Sequence, residues 1–239
     1  MKRSKIIAGI LLAFLTVSFV NGQDWPQFRG QNRDSKVTGF KAPSAWPAEL
    51  TQLWKTNVGT GDATPIIAGK NIYLNTRQGD NEVVLCLDAA TGAEKWKSTY
   101  PASAVTGPAA SHPGPRSTPA FADNKVVTIG VTGIVNCLDA TNGKVLWKKE
   151  NPAAAVPQFF VGMSPLISDG TCIIHLGTKD KGELLALDLK TGAEKWKWAG
   201  DGPAYSSPSI MTAGGQKLLI VVTEKSLMAL NFSDGKVLW

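Results

Sequence analysis

An eleven-residue phrase occurs four times in this chain and constrains its fold more than any other feature. The copies run from Cys86 to Trp96, Cys137 to Trp147, Ala186 to Trp196 and Ala229 to Trp239. Each reads small residue, x, Asp or Asn, three residues, Gly, three residues, Trp, and the Trp recurs every 43 to 51 residues. A period of that length, with a strand-like run on each side of a Gly turn, predicts an all-β fold. The architecture it specifies is a β-propeller of four-stranded antiparallel blades.

Four such blades can be written out, each with strands A to D. The first takes 63–68, 71–76, 83–88 and 93–98, and the second 117–122, 126–130, 134–139 and 144–149. The third takes 163–168, 172–177, 184–188 and 193–198, and the fourth 207–211, 218–223, 226–231 and 236–239. Asp88, Asp139, Asp188 and Asn231 end strand C, where a short acceptor side chain can bond a backbone N–H two residues on. Gly92, Gly143, Gly192 and Gly235 supply the positive φ that closes a tight loop. Trp96, Trp147, Trp196 and Trp239 then fall on the outer strand, where a flat ring fills the wedge between blades. Pro65, Pro119, Pro165 and Pro208 head strand A, a position that needs no N–H donor.

The composition agrees with a turn-rich globular chain: 43% hydrophobic residues, 24 Gly and 14 Pro in 239 residues. Residues 1–22 read as a secretory signal peptide, with Lys2, Arg3 and Lys5 ahead of an apolar run from Ile6 to Val20. That run is short for a membrane span, and no Cys stands near the cleavage point to carry a lipid. The three leader cations account for half of the formal charge of +6. The remaining surplus is spread along the chain and gives no nucleic-acid footprint. Residues 23–49 form an N-terminal extension, and 50–239 the repeats. Cys86, Cys137 and Cys172 read as buried free thiols, the first two alternating with Ala at one small-residue position.

The phrase Ala-x-Asp-x-x-Thr-Gly-x-x-x-Trp, matched at every fixed position by Ala186 to Trp196, resembles the quinoprotein-like repeat, named for enzymes that bind pyrroloquinoline quinone (PQQ). The opening Asp24-Trp-Pro-Gln-Phe-Arg-Gly30, with Gly114-Pro-Arg-Ser-Thr-Pro119 and Tyr205-Ser-Ser-Pro208, is similar to a secreted branch of these propellers. A more distant resemblance is to BamB, the propeller of the outer-membrane barrel-assembly machinery. The resemblance implies a ring of about seven or eight blades. Leu50 to Asn57, carrying Trp54, looks like a lone strand D that closes a blade made by the other end of a longer chain. Four blades and one orphan closing strand are then an incomplete ring.

Chemistry is harder to find. His112 sits in the linker between blades one and two and can face a ligand or solvent, while His175 reads as a packed strand residue. Asp80-Asn-Glu82 and Lys179 to Glu183 read as solvated turns. No His–Cys cluster has metal-ligand spacing. Arg116 and Tyr205, each just before a strand A, are with His112 the candidates to line a central funnel. Two functions follow. One is a secreted or periplasmic binding module, with a protein or small-molecule ligand on a propeller face and no cofactor. The other is a quinone-dependent dehydrogenase acting on alcohols or sugars. The resemblance implies that such a dehydrogenase holds PQQ with Ca2+, uses an Asp base and often carries adjacent cysteines. The chain has no adjacent cysteines, and no catalytic residue stands out.

Overall fold

The computed structural model describes residues 23–150 and 156–239, so the expected signal peptide lies outside the described residues. Among the described residues, fifteen strands form four antiparallel sheets, each a meander in chain order. The first sheet is β1 (Ile66–Ala68), β2 (Asn71–Gln78), β3 (Asn81–Asp88) and β4 (Glu94–Pro101). The second is β5 (Ala120–Ala122), β6 (Lys125–Ile129), β7 (Val135–Asp139) and β8 (Val145–Lys149). The third is β9 (Leu166–Ser168), β10 (Thr171–Gly177), β11 (Gly182–Asp188) and β12 (Glu194–Gly200). The fourth is β13 (Ser209–Ala213), β14 (Gln216–Val222) and β15 (Leu227–Asn231). These are propeller blades in an open ring, with the inner strands β1, β5 and β9 touching in series.

Two strand assignments need correcting. The fourth blade has three strands, because 236–239 meets β15 through the bridge of Val237 to Leu230 and bonds to Ala229 and Asn231 without forming a continuous ladder. Residues 50–57 pair with no strand among the described residues and are extended chain rather than a strand. The tryptophan of that segment nevertheless behaves as expected of a blade end.

The blades are joined by one device used four times. The indole Nε1 of Trp54 donates to Ala89 O (3.1 Å), Trp96 to Ala140 O (3.0 Å), Trp147 to Leu189 O (2.9 Å) and Trp196 to Phe232 O (3.1 Å). Each acceptor lies in the C–D turn of the following blade, directly after the motif Asp or Asn. The ring then lies on the Gly of that turn. A Cβ at Gly143 would overlap the Trp96 ring, and Gly92, Gly192 and Gly235 stand in the same relation to Trp54, Trp147 and Trp196. The four glycines have φ of 72° to 73°. The turn therefore needs Gly twice over, for its backbone and for the flat seat it offers the preceding blade. Asp88 and Asp188 accept from the N–H groups two and three residues on. Asp139 and Asn231 accept from the N–H two residues on.

Apolar contacts fill the wedges between blades. The largest cluster joins blades two and three through Val127, Ile129, Cys137, Cys172, Ile174 and Leu187. A second joins blades three and four around Leu184, Trp196 and Leu219, and a third joins blades one and two around Tyr73 and Val126. Cys86, Cys137 and Cys172 are buried and free, and burial pushes the Cys137 thiol up to about 12. Such thiols are inert packing groups.

Candidate functional site

Meandering blades put the A–B and C–D turns on one face of the ring and the B–C turns and D–A linkers on the other. The second face carries the side chains with chemistry. Thr60 bridges Arg77 at the end of β2, and Asp62 and Ala63 donate their N–H groups to Pro115 O (2.9 and 3.0 Å). These bonds fix the linker after blade one against the segment before it. His112 Nδ1 comes within 3.1 and 3.2 Å of the Asp62 carboxylate oxygens, both side chains remaining largely in water. Arg116 donates from Nη2 to His112 O (2.8 Å). His112 and Arg116 thus share one corner of the face, and Arg116 anchors the loop.

Tyr205 is elsewhere, at the entry to blade four. Its backbone is left-handed (φ 56°), and its hydroxyl accepts from Phe159 N–H (3.0 Å). The two rings meet edge to face at 6.0 Å and stay 38% and 46% exposed. Sequence reasoning missed Phe159, because an aromatic in an irregular linker carries no periodic signal.

Glu82 corrects the expectation of a solvated turn. It is fully buried, accepting from Tyr100 Oη (2.6 Å) and from the Val131 N–H of blade two (2.9 Å). Burial raises its carboxyl, against the hydrogen bonds from Tyr100 and Val131 and the charge of Arg77. Gly130 leaves the room, since a Cβ there would overlap the Glu82 carboxylate. Asn75, Thr128 and Asn136, all buried at the same seam, each keep one polar atom without a partner among the described residues. His175 is buried in β10 as expected. Its Nε2 lies 3.0 Å from Asp201 O, and burial lowers it to about 4.

Another feature was legible but unread. The residue before each strand-A Pro is Ser or Thr, and two of these hydroxyls lace the inner strands together. Ser164 Oγ accepts from Thr118 N–H (3.0 Å) and Ser207 Oγ from Ser164 N–H (2.9 Å). Inner edge strands have free N–H groups, and a hydroxyl from the next blade satisfies them.

The extension enters the ring from the opposite face. Asp24 caps the Gly69 N–H (2.8 Å), Trp25 pairs with Ile67 on the free edge of β1, and Pro26 O accepts from Phe121 N–H (2.7 Å). Arg33 then reaches Pro165 O (3.0 Å), so this loop ties blades one, two and three at the axis. Among the described residues no three His, Cys, Asp or Glu side chains gather as a metal site, and no helix is long and apolar enough to cross a membrane.

Known proteins resemble this arrangement in sequence and shape. The chain is 26% identical over 203 residues to tetrathionate hydrolase of Acidithiobacillus ferrooxidans, covering 78% of this chain and 38% of that one. It is 28% identical over 163 residues to outer membrane protein assembly factor BamB of Yersinia pestis, covering 65% of this chain and 38% of that one. In shape it is similar to quinohemoprotein alcohol dehydrogenase from Comamonas testosteroni, with a TM-score of 0.64 and 19% identity, over 90% of this chain and 40% of that one. The chain thus spans well under half the length of these three proteins. A family profile described as outer membrane protein assembly factor BamB matches residues 80–239. The chain therefore belongs to the BamB family of PQQ-like repeat propellers.

Proposed function

We infer that this chain is an exported interaction scaffold, working in the periplasm or outside the cell and binding a protein segment with no chemistry of its own. The observation that carries the reading is the family match across residues 80–239. The use of the motif residues supports it. Asp88, Asp139, Asp188 and Asn231 are spent on turns, and the tryptophans on docking. The open surface on the linker face is aromatic, as binding hot spots are. Phe159 and Tyr205 are its anchors, and Asp62, His112 and Arg116 are polar groups at another corner of the same face. The signal-peptide pattern expected over 1–22 is in keeping with export.

The alternative is a quinone-dependent dehydrogenase, favoured by the likeness in shape to the Comamonas enzyme. PQQ with Ca2+ needs a set of oxygen ligands around the ion. The described residues do not fit it: no acidic cluster forms, Glu82 is locked between two blades, and Asp62 faces His112.

A photo-reactive phenylalanine at position 159, in protein exported to a Gram-negative periplasm, tests the scaffold reading. The expected outcome is a discrete cross-linked protein adduct that Tyr205→Ala weakens severalfold. A photo-reactive residue at Met211, on an inner strand, should give none. Equal labelling at both positions, or none at 159, contradicts the assignment of this face.

A further inference from the structure

The loop that enters the channel does not fill it. Beside it lies a cavity of about 410 Å3, lined in part by Phe121, Leu166 and Ile210 from the inner strands of blades two, three and four. The lining also includes Arg33, Lys217, Ser168 and Gln27. Its lining holds two cations and no carboxylate. Lys217 is already matched, by Asp169 and the Ser168 hydroxyl.

Although its guanidinium lies over the Phe28 ring at 5.6 Å, Arg33 has no ion-pair partner among the described residues. Only 9% of it is exposed, and its Nη1 donates to Gln27 Oε1 (3.2 Å) and Pro165 O (3.0 Å), both neutral acceptors. Its Nη2 is buried and donates to nothing among the described residues. Burial, and then the Arg29 charge, lower the guanidinium to about 10, so it stays a cation at neutral pH. A buried cation without a counter-ion is costly, and a guanidinium is shaped to receive a carboxylate on two parallel N–H groups. The loop that presents it is unusual as well, with Arg29, Arg33 and Ser35 all left-handed. Residues held in such conformations gather at ligand clamps.

We propose that this channel cavity binds a small organic acid, its carboxylate on Arg33 and its apolar body against Phe121, Leu166 and Ile210. The cavity is within the range of small-ligand sites. Because Nη2 has almost no accessible surface, the guanidinium turns toward the cavity on binding and gives up its longer contact, to Gln27. The site lies at the A–B turn end, on the face opposite the Phe159–Tyr205 surface, so it is separate from the proposed protein-binding face.

Titration calorimetry on the full chain, with benzoate as probe and benzamide and inorganic phosphate as controls, tests it. Benzoate is expected to bind at least tenfold more tightly than either control. Arg33→Gln should weaken it tenfold or more and Lys217→Met less, and added salt should weaken it for wild type. Ile210→Trp fills the cavity without touching the loop anchors and should abolish binding with the circular dichroism unchanged. That variant decides the matter if Arg33→Gln fails to fold. Benzamide binding as well as benzoate, phosphate binding as tightly, or benzoate binding that survives Ile210→Trp in folded protein would overturn the proposal.

Discussion

At the scale of single residues, the motif Gly and Trp act as one unit split between blades. Trp147→Ala removes a half-buried indole and its bond to Leu189 O, and is expected to lower stability by about 3 kcal/mol. Trp147→Phe keeps most of the ring contact and loses the bond, which is worth about 1 kcal/mol. Gly192→Ala suffers both from its φ of 73° and from overlap with the Trp147 ring. Its cost is therefore expected to be smaller by about 1–2 kcal/mol in the Trp147→Ala background, where the ring is gone. Urea unfolding of the four proteins in the cycle measures this. Additive costs would mean that the ring and the turn do not act on each other. The positions of these residues were readable because the phrase recurs. The second demand on Gly was not, since nothing local announces that a ring from 45 residues earlier lies on it.

Elements meet at seams of different character, and pH separates them. His175, inside β10, has a folded-state pKa near 4 against an ordinary value of 6.5, chiefly from burial. A depressed value means that its contribution is present above pH 6.5 and is lost as pH falls toward 4. The shift amounts to about 3 kcal/mol. His175→Gln should flatten that part of the stability profile, measured by urea unfolding from pH 7 to 4; an unchanged slope would contradict burial of a neutral imidazole. Glu82 has the opposite sign. Its carboxyl is raised above 4.5, so the stability it gives is full below that value and declines as pH rises through the raised one. Glu82→Gln should remove this decline, and a variant whose profile still matches wild type would show that Glu82 is solvated. The sequence could not reveal this role. An acid next to Asp80 and Asn81 looks like part of a wet turn, and its partners Tyr100 and Val131 come from a later strand and another blade. By contrast β2, β3, β10 and β11 were legible almost to their ends, because alternating apolar runs between Gly turns leave little choice.

For the whole molecule, docking runs in one direction, each blade's Trp onto the next blade's turn. Trp54 serves blade one in this way although it belongs to no strand. Trp239 has no such seat among the described residues and is 58% exposed, beside the exposed Val237, Leu238 and Leu227. An apolar flank next to a free sheet edge recruits other chains. The 239-residue chain is expected to run larger than 25.4 kDa in size-exclusion chromatography with light scattering, and Trp239→Ser with Leu227→Lys to shift it toward monomer. A clean monomer at high concentration would mean that the flank caps itself. The propeller was plain in the sequence, whereas the threading of residues 24–33 through its axis was not, because that segment borrows its pairing from β1 and β5. The division between scaffold and enzyme is decided most directly by adding PQQ and Ca2+ to the purified chain and recording its absorbance and its alcohol-dependent dye reduction. The expected result is no stoichiometric quinone and no turnover. A one-to-one bound-quinone spectrum with alcohol-dependent reduction would contradict the scaffold reading and make this chain part of a dehydrogenase.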